Sequence, residues 1–382
     1  MVVVSCSTKL HAFNLAEQLQ KHGLLDKLYT TYAYQKNVLA RKFIRRMDLE
    51  KIDKDKIETN LPAGLMHKWY PDKYLTNAWF EEWVEKQIRN SKAKVFIGWS
   101  GMSLKAIRQA RKRGMITIVE RGSSHIQYQH NILKEEYAGF GLNKGVDTRV
   151  IEKELGEYEA ADYISVPSGF VKRTFEQYGV SADKLLVNAY GVSSYFKPMP
   201  QEKKDKFRIV YLGTLSIRKG LKYLFQALKE LPIPTDKFEV HFIGQVEPEL
   251  NSLISEMEMN NWQFLGHRNH YELSKLISSA DVAVHPSIEE GMSMVILQLL
   301  SCGVPVIATT NTGGEDIIQD NKTGFIIPIR STEAIAEKIV FLYNNPVQLQ
   351  EMKAAAAETS ANHFTWDKYG ERYVHFLNSI LS

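Results

Sequence analysis

One stretch of the chain, residues 286–318, constrains the fold more than any other. It reads PSIEEGMSMVILQLLSCGVPVIATTNTGGEDII. After a short loop, apolar residues recur at the i, i+3, i+4 and i+7 spacing of a helix with one buried face, and Gly303 follows as a stop signal. Residues 304–308 form a β-branched run typical of a buried strand, and Glu315 with Asp316 predicts a second helix. This alternation is the repeating unit of a parallel sheet covered by helices.

An acidic residue stands at the end of the loop that precedes the first of these helices. In open parallel sheets, ligands bind in the crevice outside the carboxyl ends of the strands, and Glu290 lies at that edge. The helix that follows begins with N–H groups that lack intrahelical partners. A carboxylate beside such donors can hold a polyhydroxylated or phosphorylated ligand. The alternative is that Glu290 only caps the helix and complements its dipole.

A second strand-turn-helix pattern carries basic residues in its turn. The run at 208–212 predicts a strand, Gly213 opens the turn, and Arg218-Lys219-Gly220 leads into an amphipathic helix. Free helix N–H groups, the positive end of the helix dipole and a lysine all favour a bound phosphate. The alternative is an ordinary solvated turn.

Residues 287–309 resemble the donor-site motif of family 4 glycosyltransferases, which are retaining enzymes of the GT-B fold. The resemblance rests on Ser287, Glu290, Gly291, Met292, Ser293, Gln298, Cys302, Gly303 and residues 305–309. It implies an α/β fold of two Rossmann-like parallel-sheet domains that face each other across a cleft. It also implies that Glu290 contacts the donor sugar and Gln298 the nucleotide ribose. The family has a glutamate where this chain has Gln298, and an amide brings no negative charge to that position.

The resemblance extends to three further loops. Lys219 matches the lysine of the family's Gly-Arg-Leu…Lys-Gly pattern, whereas Thr214 stands at the arginine position and Arg218 is the candidate replacement. His125 matches a histidine near the reacting centre, with a polar surface residue as the alternative. The loop that contains His267 is similar to the one that reads the nucleotide base. The predicted catalytic residues are His125, Lys219 and Glu290, and the predicted donor-binding residues are Arg218, Lys219, Glu290, Gly291, Met292, Ser293, Gln298 and His267.

The predicted function is transfer of a sugar, with retention, from a UDP- or GDP-sugar to a hydroxyl of a glycan or lipid-linked acceptor in surface polysaccharide biosynthesis. No cofactor and no metal are expected, because fixed cations can stabilise the leaving diphosphate. Two alternatives stay open: a sugar-nucleotide epimerase of GT-B-like fold, and a non-catalytic protein that binds nucleotide sugars. The departures at Gln298 and Thr214 are the support for the second alternative.

A chain of 382 residues is long for one hydrophobic core, so two domains are expected. The predicted N-terminal, acceptor-side domain covers residues 1–200, and the predicted donor domain covers 206–365. Pro198–Lys206, with two prolines and several charges, is the predicted linker. The aromatic stripe near the end of the chain predicts a helix at 366–382 that crosses back onto the first domain, as in GT-B enzymes. Trp79, Phe80 and Trp83 have helical spacing and are interpreted as core.

Charge is distributed unevenly along the chain. Residues 1–200 contain 31 Lys and Arg against 22 Asp and Glu, whereas the remainder contains 17 against 22. This balance indicates that the front half meets an anionic partner. Lys36–Met47 is basic and amphipathic, so it is a candidate for contact with an anionic membrane surface, and the alternative is a surface helix packed on the core. No motif for nucleic-acid binding is present, so nucleic acid is not an expected partner.

The cellular location is expected to be cytoplasmic, at the inner face of the membrane if Lys36–Met47 binds lipid. Cys6 and Cys302 both lie in apolar segments, which favours a reducing compartment. The first residues lack a charged region before their apolar run, so no signal peptide is expected. No apolar run approaches the roughly 18 residues of a membrane span.

Overall fold

The structure is a computed structural model that describes residues 1–8, 10–31, 51–201 and 204–382. The described residues form two fully parallel sheets. The first sheet has the strand order β3-β2-β1-β4-β5-β6-β7 and the second has the order β10-β9-β8-β11-β12-β13. The strands of the first are β1 (Val2–Cys6), β2 (Leu25–Thr30), β3 (Ile57–Thr59), β4 (Val95–Trp99), β5 (Ile116–Glu120), β6 (Tyr163–Val166) and β7 (Leu185–Val187). Those of the second are β8 (Phe207–Leu212), β9 (Phe238–Ile243), β10 (Trp262–Phe264), β11 (Val282–His285), β12 (Val306–Thr309) and β13 (Gly324–Ile327).

Helices connect most of the successive parallel strands, whereas β12 and β13 are joined through two 3₁₀ turns. Around the first sheet they are α1 (Ala12–Lys21), α2 (Leu61–Trp69), α3 (Lys73–Ile88), α4 (Leu104–Lys112), α5 (Ile126–Ala138), α6 (Thr148–Ala160) and α7 (Gly169–Gln177). Along the second part of the chain they are α8 (Leu221–Lys229), α9 (Asn251–Met257), α10 (His270–Ser278), α11 (Met294–Ser301), α12 (Thr332–Asn344), α13 (Pro346–His363) and α14 (Trp366–Leu381). The α/β class with two parallel sheets, predicted from the sequence, is confirmed.

The last helix, α14, packs on the first sheet's side of the molecule rather than on the second. Gln18 on α1 donates a hydrogen bond to Asp367 at 2.9 Å, and the buried Tyr373 hydroxyl donates to Glu120 at the end of β5 at 2.7 Å. We call the first sheet with its helices and α14 the N lobe, and the second sheet with α8–α13 the C lobe. Between β7 and β8 lies the predicted linker.

Two local predictions are wrong. Glu315 and Asp316 do not open an α-helix: Gly314–Asp316 is a single 3₁₀ turn. Its acids bind the N lobe instead, because Asp316 accepts a hydrogen bond from the Gly169 N–H and Glu315 pairs with Arg173. Trp79 is not a core residue, because 54% of it is exposed while its neighbour Phe80 is fully buried.

The carboxyl edges of the two sheets face each other. Gly122 follows β5 of the N lobe, and Gly291 follows β11 of the C lobe. A Cβ built on Gly291 would lie 1.9 Å from the Gly122 carbonyl oxygen, so only glycine permits this approach. Ser168, which follows β6, donates a hydrogen bond to the Gly291 carbonyl at 2.6 Å. The lobes therefore meet through the loops at the ends of their strands.

Candidate functional site

Lys219 and Glu290, 71 positions apart in the chain, are in contact at the carboxyl edge of the C-lobe sheet. The Lys219 ammonium donates to the Glu290 carboxylate, and both side chains are partly buried. A 3₁₀ turn at Ile217–Lys219 leads to Gly220, which has a φ of 69° and is the N-cap of α8. A Cβ on Gly220 would lie 2.0 Å from the Pro286 carbonyl oxygen. Glycine at this position therefore lets the basic turn pack directly against the acidic loop.

The environment of Lys219 alters its protonation. Burial and the adjacent Arg218 charge lower the pKa of Lys219 to about 7, with the carboxylate of Glu289 opposing the shift. A negatively charged ligand placed beside this amine would favour its ammonium form. The basic turn Ile217–Lys219 is therefore suited to bind an anion, and the Lys219 amine would take up a proton when the anion binds.

Two side chains of the C lobe lie behind Glu290. His285, the last residue of β11, is buried and places its Nε2 3.6 Å from Glu290 Oε1. Burial, with a contribution from the Lys219 charge, lowers the pKa of His285 to about 3, so its imidazole is neutral. The Ser287 hydroxyl lies 3.3 Å from both His285 Nε2 and Glu290 Oε1. These contacts hold the Glu290 carboxylate in place from one side.

Arg218 is held by the neighbouring acid, Glu289, in two ways. Its Nε donates to the Glu289 backbone carbonyl at 3.0 Å, and its guanidinium lies 2.7 Å from the Glu289 carboxylate. About a third of the Arg218 side chain stays exposed, whereas the Glu289 side chain is fully buried. Arg218 is therefore fixed beside Lys219 with part of its charge available to a ligand.

Glu289, which was not predicted from the sequence, joins the two lobes. From the N lobe, the Ser124 N–H and hydroxyl donate to its carboxylate at 3.1 and 2.6 Å, and Gln129 donates at 2.9 Å. Burial alone would raise the pKa of Glu289, but the Arg218 charge and these donors hold it below its ordinary value. The sequence shows two adjacent acids after β11 but not which of them points to the other lobe.

The N-lobe partners of Glu289 are themselves fixed by a buried network. Arg121 donates to the side-chain oxygen of Gln129 at 2.9 Å and forms a 2.8 Å ion pair with Glu154. All three side chains are buried. A chain of polar contacts thus runs from Glu154 in the N lobe to Arg218 in the C lobe.

His125 lies in the same loop as Ser124 but its ring occupies a different environment. The imidazole stacks on Tyr178 with ring centroids 4.5 Å apart, and it also contacts Tyr158 and Phe175. Burial and the Arg121 charge lower the pKa of His125 to about 4, so the ring is neutral. Among the contacts of the described residues, none joins His125 to Lys219 or Glu290.

The other predicted donor-binding residues lie around the acidic loop and along a cavity. Met292 is buried and its sulfur accepts the Tyr190 N–H at 3.2 Å, while the Ser293 N–H donates to the Thr312 carbonyl at 2.9 Å. Gln298 is partly buried on α11. His267 lines a cavity of about 480 Å³ together with Gly213, Thr214, Gly244, Gln245, Gly266 and Arg268. This cavity lies at the carboxyl ends of β8 and β9, the same edge of the sheet that carries Lys219.

Some predictions fall outside the residues that the structure describes. The predicted membrane segment Lys36–Met47 lies within the undescribed stretch 32–50. Over the described ranges, no cluster of three or more His, Cys, Asp or Glu is placed to hold a metal ion. Within the same ranges, no helix has the length and apolar character that crossing a membrane would require.

Comparison with solved structures establishes the class of fold. Sucrose-phosphate synthase from Thermosynechococcus elongatus superposes with a TM-score of 0.78, at 16% identity, and the match covers 100% of this chain and 98% of the other. Anabaena Alr3699/HepE, solved in complex with UDP, gives a TM-score of 0.69 at 16% identity, with 99% of each chain covered. The chain therefore has the GT-B fold that the sequence predicted, with two parallel-sheet domains.

Comparison with known sequences shows which proteins the second half of the chain resembles. Residues 196–359 match the family model of glycosyl transferases group 1. The putative glycosyltransferase EpsD of Bacillus subtilis is 32% identical over 162 residues, which cover 41% of this chain and 42% of that relative. The chain spans about half the length of the curated relatives it matches. The resemblance to glycosyl transferases that the sequence motifs predicted is confirmed over residues 196–359, which match the group 1 model.

Proposed function

We propose that this chain is a metal-independent, retaining glycosyltransferase of the family 4 type. It moves a sugar from a nucleotide-diphosphate donor, UDP- or GDP-linked, to a hydroxyl of a glycan or lipid-linked acceptor in polysaccharide biosynthesis. The observation that carries the proposal is the contact of Lys219 with Glu290 beside the fixed Arg218, at the edge of the C-lobe sheet that faces the N lobe. The solved complexes of HepE with UDP and with UDP-glucose support a UDP-sugar donor.

The reaction breaks the bond between the sugar's anomeric carbon and the diphosphate oxygen, and forms a bond from that carbon to the acceptor oxygen. The products are the glycosylated acceptor, the nucleoside diphosphate and a proton. Negative charge grows on the diphosphate as its bond breaks, so Lys219 and Arg218 stabilise the transition state more than the ground state. These two fixed cations supply the charge that a metal ion supplies elsewhere.

The remaining roles rest on the family resemblance and, for His125, on its contacts. Glu290 orients the sugar hydroxyls, with Gly291, Met292 and Ser293 shaping the loop around it. Gln298 contacts the ribose, and the cavity lined by His267 receives the base. His125 acts by positioning, because its ring anchors the loop from which Ser124 binds Glu289. We place the acceptor on the side of residues 1–200, the donor on residues 206–365, and the protein in the cytoplasm.

The test is to incubate the purified protein with UDP- and GDP-sugars, with and without an acceptor glycan, and to follow nucleotide release and the sugar product. We expect nucleotide release that depends on the acceptor. An epimerised sugar without transfer, or binding without turnover, would establish one of the two alternative functions instead.

The variant Lys219→Ala tests the assignment of the diphosphate site. We expect kcat/KM for the donor to fall by about 10²–10³, since one preformed cation at the developing charge is lost. The matched control is Lys222→Ala, on the next turn of the same helix region and over the Phe140 ring instead of beside Glu290. Kinetics of Lys219→Ala equal to those of the control would contradict the assignment.

A further inference from the structure

The basic turn Ile217–Lys219 of the C lobe packs directly against a helix of the N lobe. Ile217 is buried in the hydrophobic cluster of the C-lobe sheet, and the α5 residues Ile132, Leu133 and Tyr137 belong to the same cluster. The second half of α5 is thus part of the C-lobe core, although this helix follows β5 of the N-lobe sheet. The proposed diphosphate site therefore rests on an N-lobe element that has no assigned contact with the donor.

One carboxylate fastens the basic turn to this helix. Glu249 lies in the short 3₁₀ turn Pro248–Leu250 that follows β9, and its Oε1 accepts the Ile217 N–H at 3.2 Å. The same oxygen accepts the Tyr137 hydroxyl of α5 at 3.2 Å, while Oε2 accepts the Lys144 ammonium at 2.8 Å. Only 13% of the Glu249 side chain is exposed. Donors from the N lobe therefore hold the carboxylate that holds the first N–H of the basic turn.

The two N-lobe donors differ in how easily water can replace them. Burial and the Glu249 charge raise the pKa of Tyr137, so its hydroxyl keeps the proton that it donates. Lys144 Nζ lies 4.7 Å from the centroid of the Tyr137 ring, but 58% of the Lys144 side chain is exposed. An exposed ion pair contributes little, whereas a buried hydroxyl leaves its acceptor unsatisfied when it is removed. The contact of Tyr137 with Glu249 is therefore the stronger of the two links.

A second carboxylate holds the basic turn from another side. Arg218 pairs with Glu289, which accepts a hydrogen bond from Gln129 of α5. Gln129 and Tyr137 lie about two helical turns apart on that helix. Helix α5 thus reaches the basic turn at two points, through Glu289 near its start and through Glu249 near its end.

We propose that Glu249 and Tyr137 are positioning residues for the donor, because they hold the basic turn in the geometry that binds the diphosphate. The inference rests on the proposed function, in which that turn binds the diphosphate. Groups that are already in place bind a ligand more tightly than groups that must first become ordered. Two residues that do not touch the donor, one of them in the N lobe, are therefore expected to raise its affinity.

The sign of one effect separates positioning from simple electrostatics. A carboxylate near a diphosphate repels it, so by charge alone the removal of Glu249 would strengthen diphosphate binding. The loss of its charge would also leave the Lys144 ammonium uncompensated, which adds attraction for an anion. Positioning predicts the opposite result, because the basic turn loses the acceptor that fixes the Ile217 N–H. Weaker binding after the loss of this negative charge would therefore not be explained by charge.

The experiment measures binding of UDP, GDP and inorganic pyrophosphate to the full chain by titration calorimetry. Tyr137→Phe keeps the buried ring and removes the hydroxyl, and we expect it to raise the dissociation constants of the bound nucleotide and of pyrophosphate about three- to tenfold. For Glu249→Ala we expect an increase of at least about tenfold. The matched control is Tyr223→Phe, which loses a hydroxyl that donates to Glu136 of the same helix at 3.0 Å, and which is expected to bind like the wild type.

A double variant, Tyr137→Phe with Glu249→Ala, tests whether the tyrosine acts through the carboxylate. If it does, the double variant is expected to bind the nucleotide no more weakly than Glu249→Ala alone. Losses of affinity that add would overturn the proposal. So would a Tyr137→Phe variant that binds like the Tyr223→Phe control, or a Glu249→Ala variant that binds as tightly as the wild type or more tightly.

The wild type separates this inference from the proposed function. A wild type that binds neither nucleotide nor pyrophosphate would refute the diphosphate site and the positioning role with it. A wild type that binds them, together with a Tyr137→Phe variant that binds equally well, would refute the positioning role alone. If Glu249→Ala does not fold, the comparison of Tyr137→Phe with its control decides the proposal, because each of those variants lacks a single hydroxyl.

Discussion

At the scale of single residues, the site contains a lysine whose protonated form the surrounding protein stabilises only weakly. Lys219 contacts Glu290, but burial and Arg218 bring its pKa to about 7. A diphosphate supplies the negative charge that would hold the amine protonated. Lys219 is therefore expected to bind the donor and to take up a proton when the donor binds.

This protonation gives a prediction for pH dependence. Burial and Arg218 lower the pKa of Lys219 to about 7 in the free protein, and a bound diphosphate would raise it. Donor binding is therefore expected to take up protons and to weaken as the pH rises above about 7. Titration calorimetry in buffers with different ionisation enthalpies measures the uptake. The control is Lys219→Arg, whose guanidinium stays charged and should take up none. Wild-type heats that do not depend on the buffer would contradict the prediction.

At the scale of elements, α14 ties the end of the chain to the N lobe through a buried polar contact. Tyr373 donates to one oxygen of Glu120 at 2.7 Å, and His11 Nε2 lies 3.1 Å from the other. Both Tyr373 and Glu120 are buried. A buried carboxylate of this kind is costly to leave without donors.

Tyr373→Phe tests this contact. Loss of the hydroxyl leaves one Glu120 oxygen without its donor, and the free energy of unfolding is expected to fall by about 1–3 kcal/mol. Urea unfolding followed by circular dichroism measures the change. Tyr343→Phe, at a partly buried tyrosine of α12, is the control. An unchanged transition midpoint in Tyr373→Phe would show that the contact contributes nothing.

The elements also differ in how well they could be predicted from the sequence. The alternation of strand, loop and helix predicted the parallel sheets, because the spacing of apolar residues and the glycines that end helices both reflect local structure. That Lys219 and Glu290 lie close together could be predicted, because both follow strands at the carboxyl edge of the same sheet. The exposure of Trp79 could not be predicted, since the first two turns of α3 carry apolar residues on both sides and periodicity does not say which side is covered. The role of Glu289 could not be predicted either. It depends on Ser124 and Gln129, which contact Glu289 only because the two lobes come together.

At the scale of the whole molecule, the two lobes are linked where the donor is proposed to bind. Glu289 binds Ser124 and Gln129 of the N lobe and Arg218 of the C lobe with a single buried carboxylate. A change in Arg218 on donor binding would therefore reach Ser124 and Gln129 of the N lobe through Glu289. This contact is one of the routes in the described structure from the basic turn Ile217–Lys219 to the opposite lobe, because that turn also packs directly on α5 of the N lobe.

Glu289→Gln tests the contact that joins the two lobes, because glutamine has nearly the same shape as glutamate. The amide keeps one acceptor oxygen but loses the charge that balances Arg218, so the free energy of unfolding is expected to fall by about 1–3 kcal/mol. Small-angle X-ray scattering is expected to give a larger radius of gyration, because the lobes separate. Glu256→Gln, at an exposed acid of α9, is the control. A variant as stable and as compact as the control would remove Glu289 from this role.

The central claim is that the cleft holds an activated sugar by its diphosphate, and a crystal structure of the chain with a bound UDP-sugar tests it most directly. We expect a diphosphate oxygen at a charge-assisted hydrogen-bond distance of about 2.7–2.9 Å from Lys219 Nζ, with the sugar hydroxyls against Glu290. A nucleotide sugar bound with its diphosphate away from Lys219 and Arg218 would contradict it.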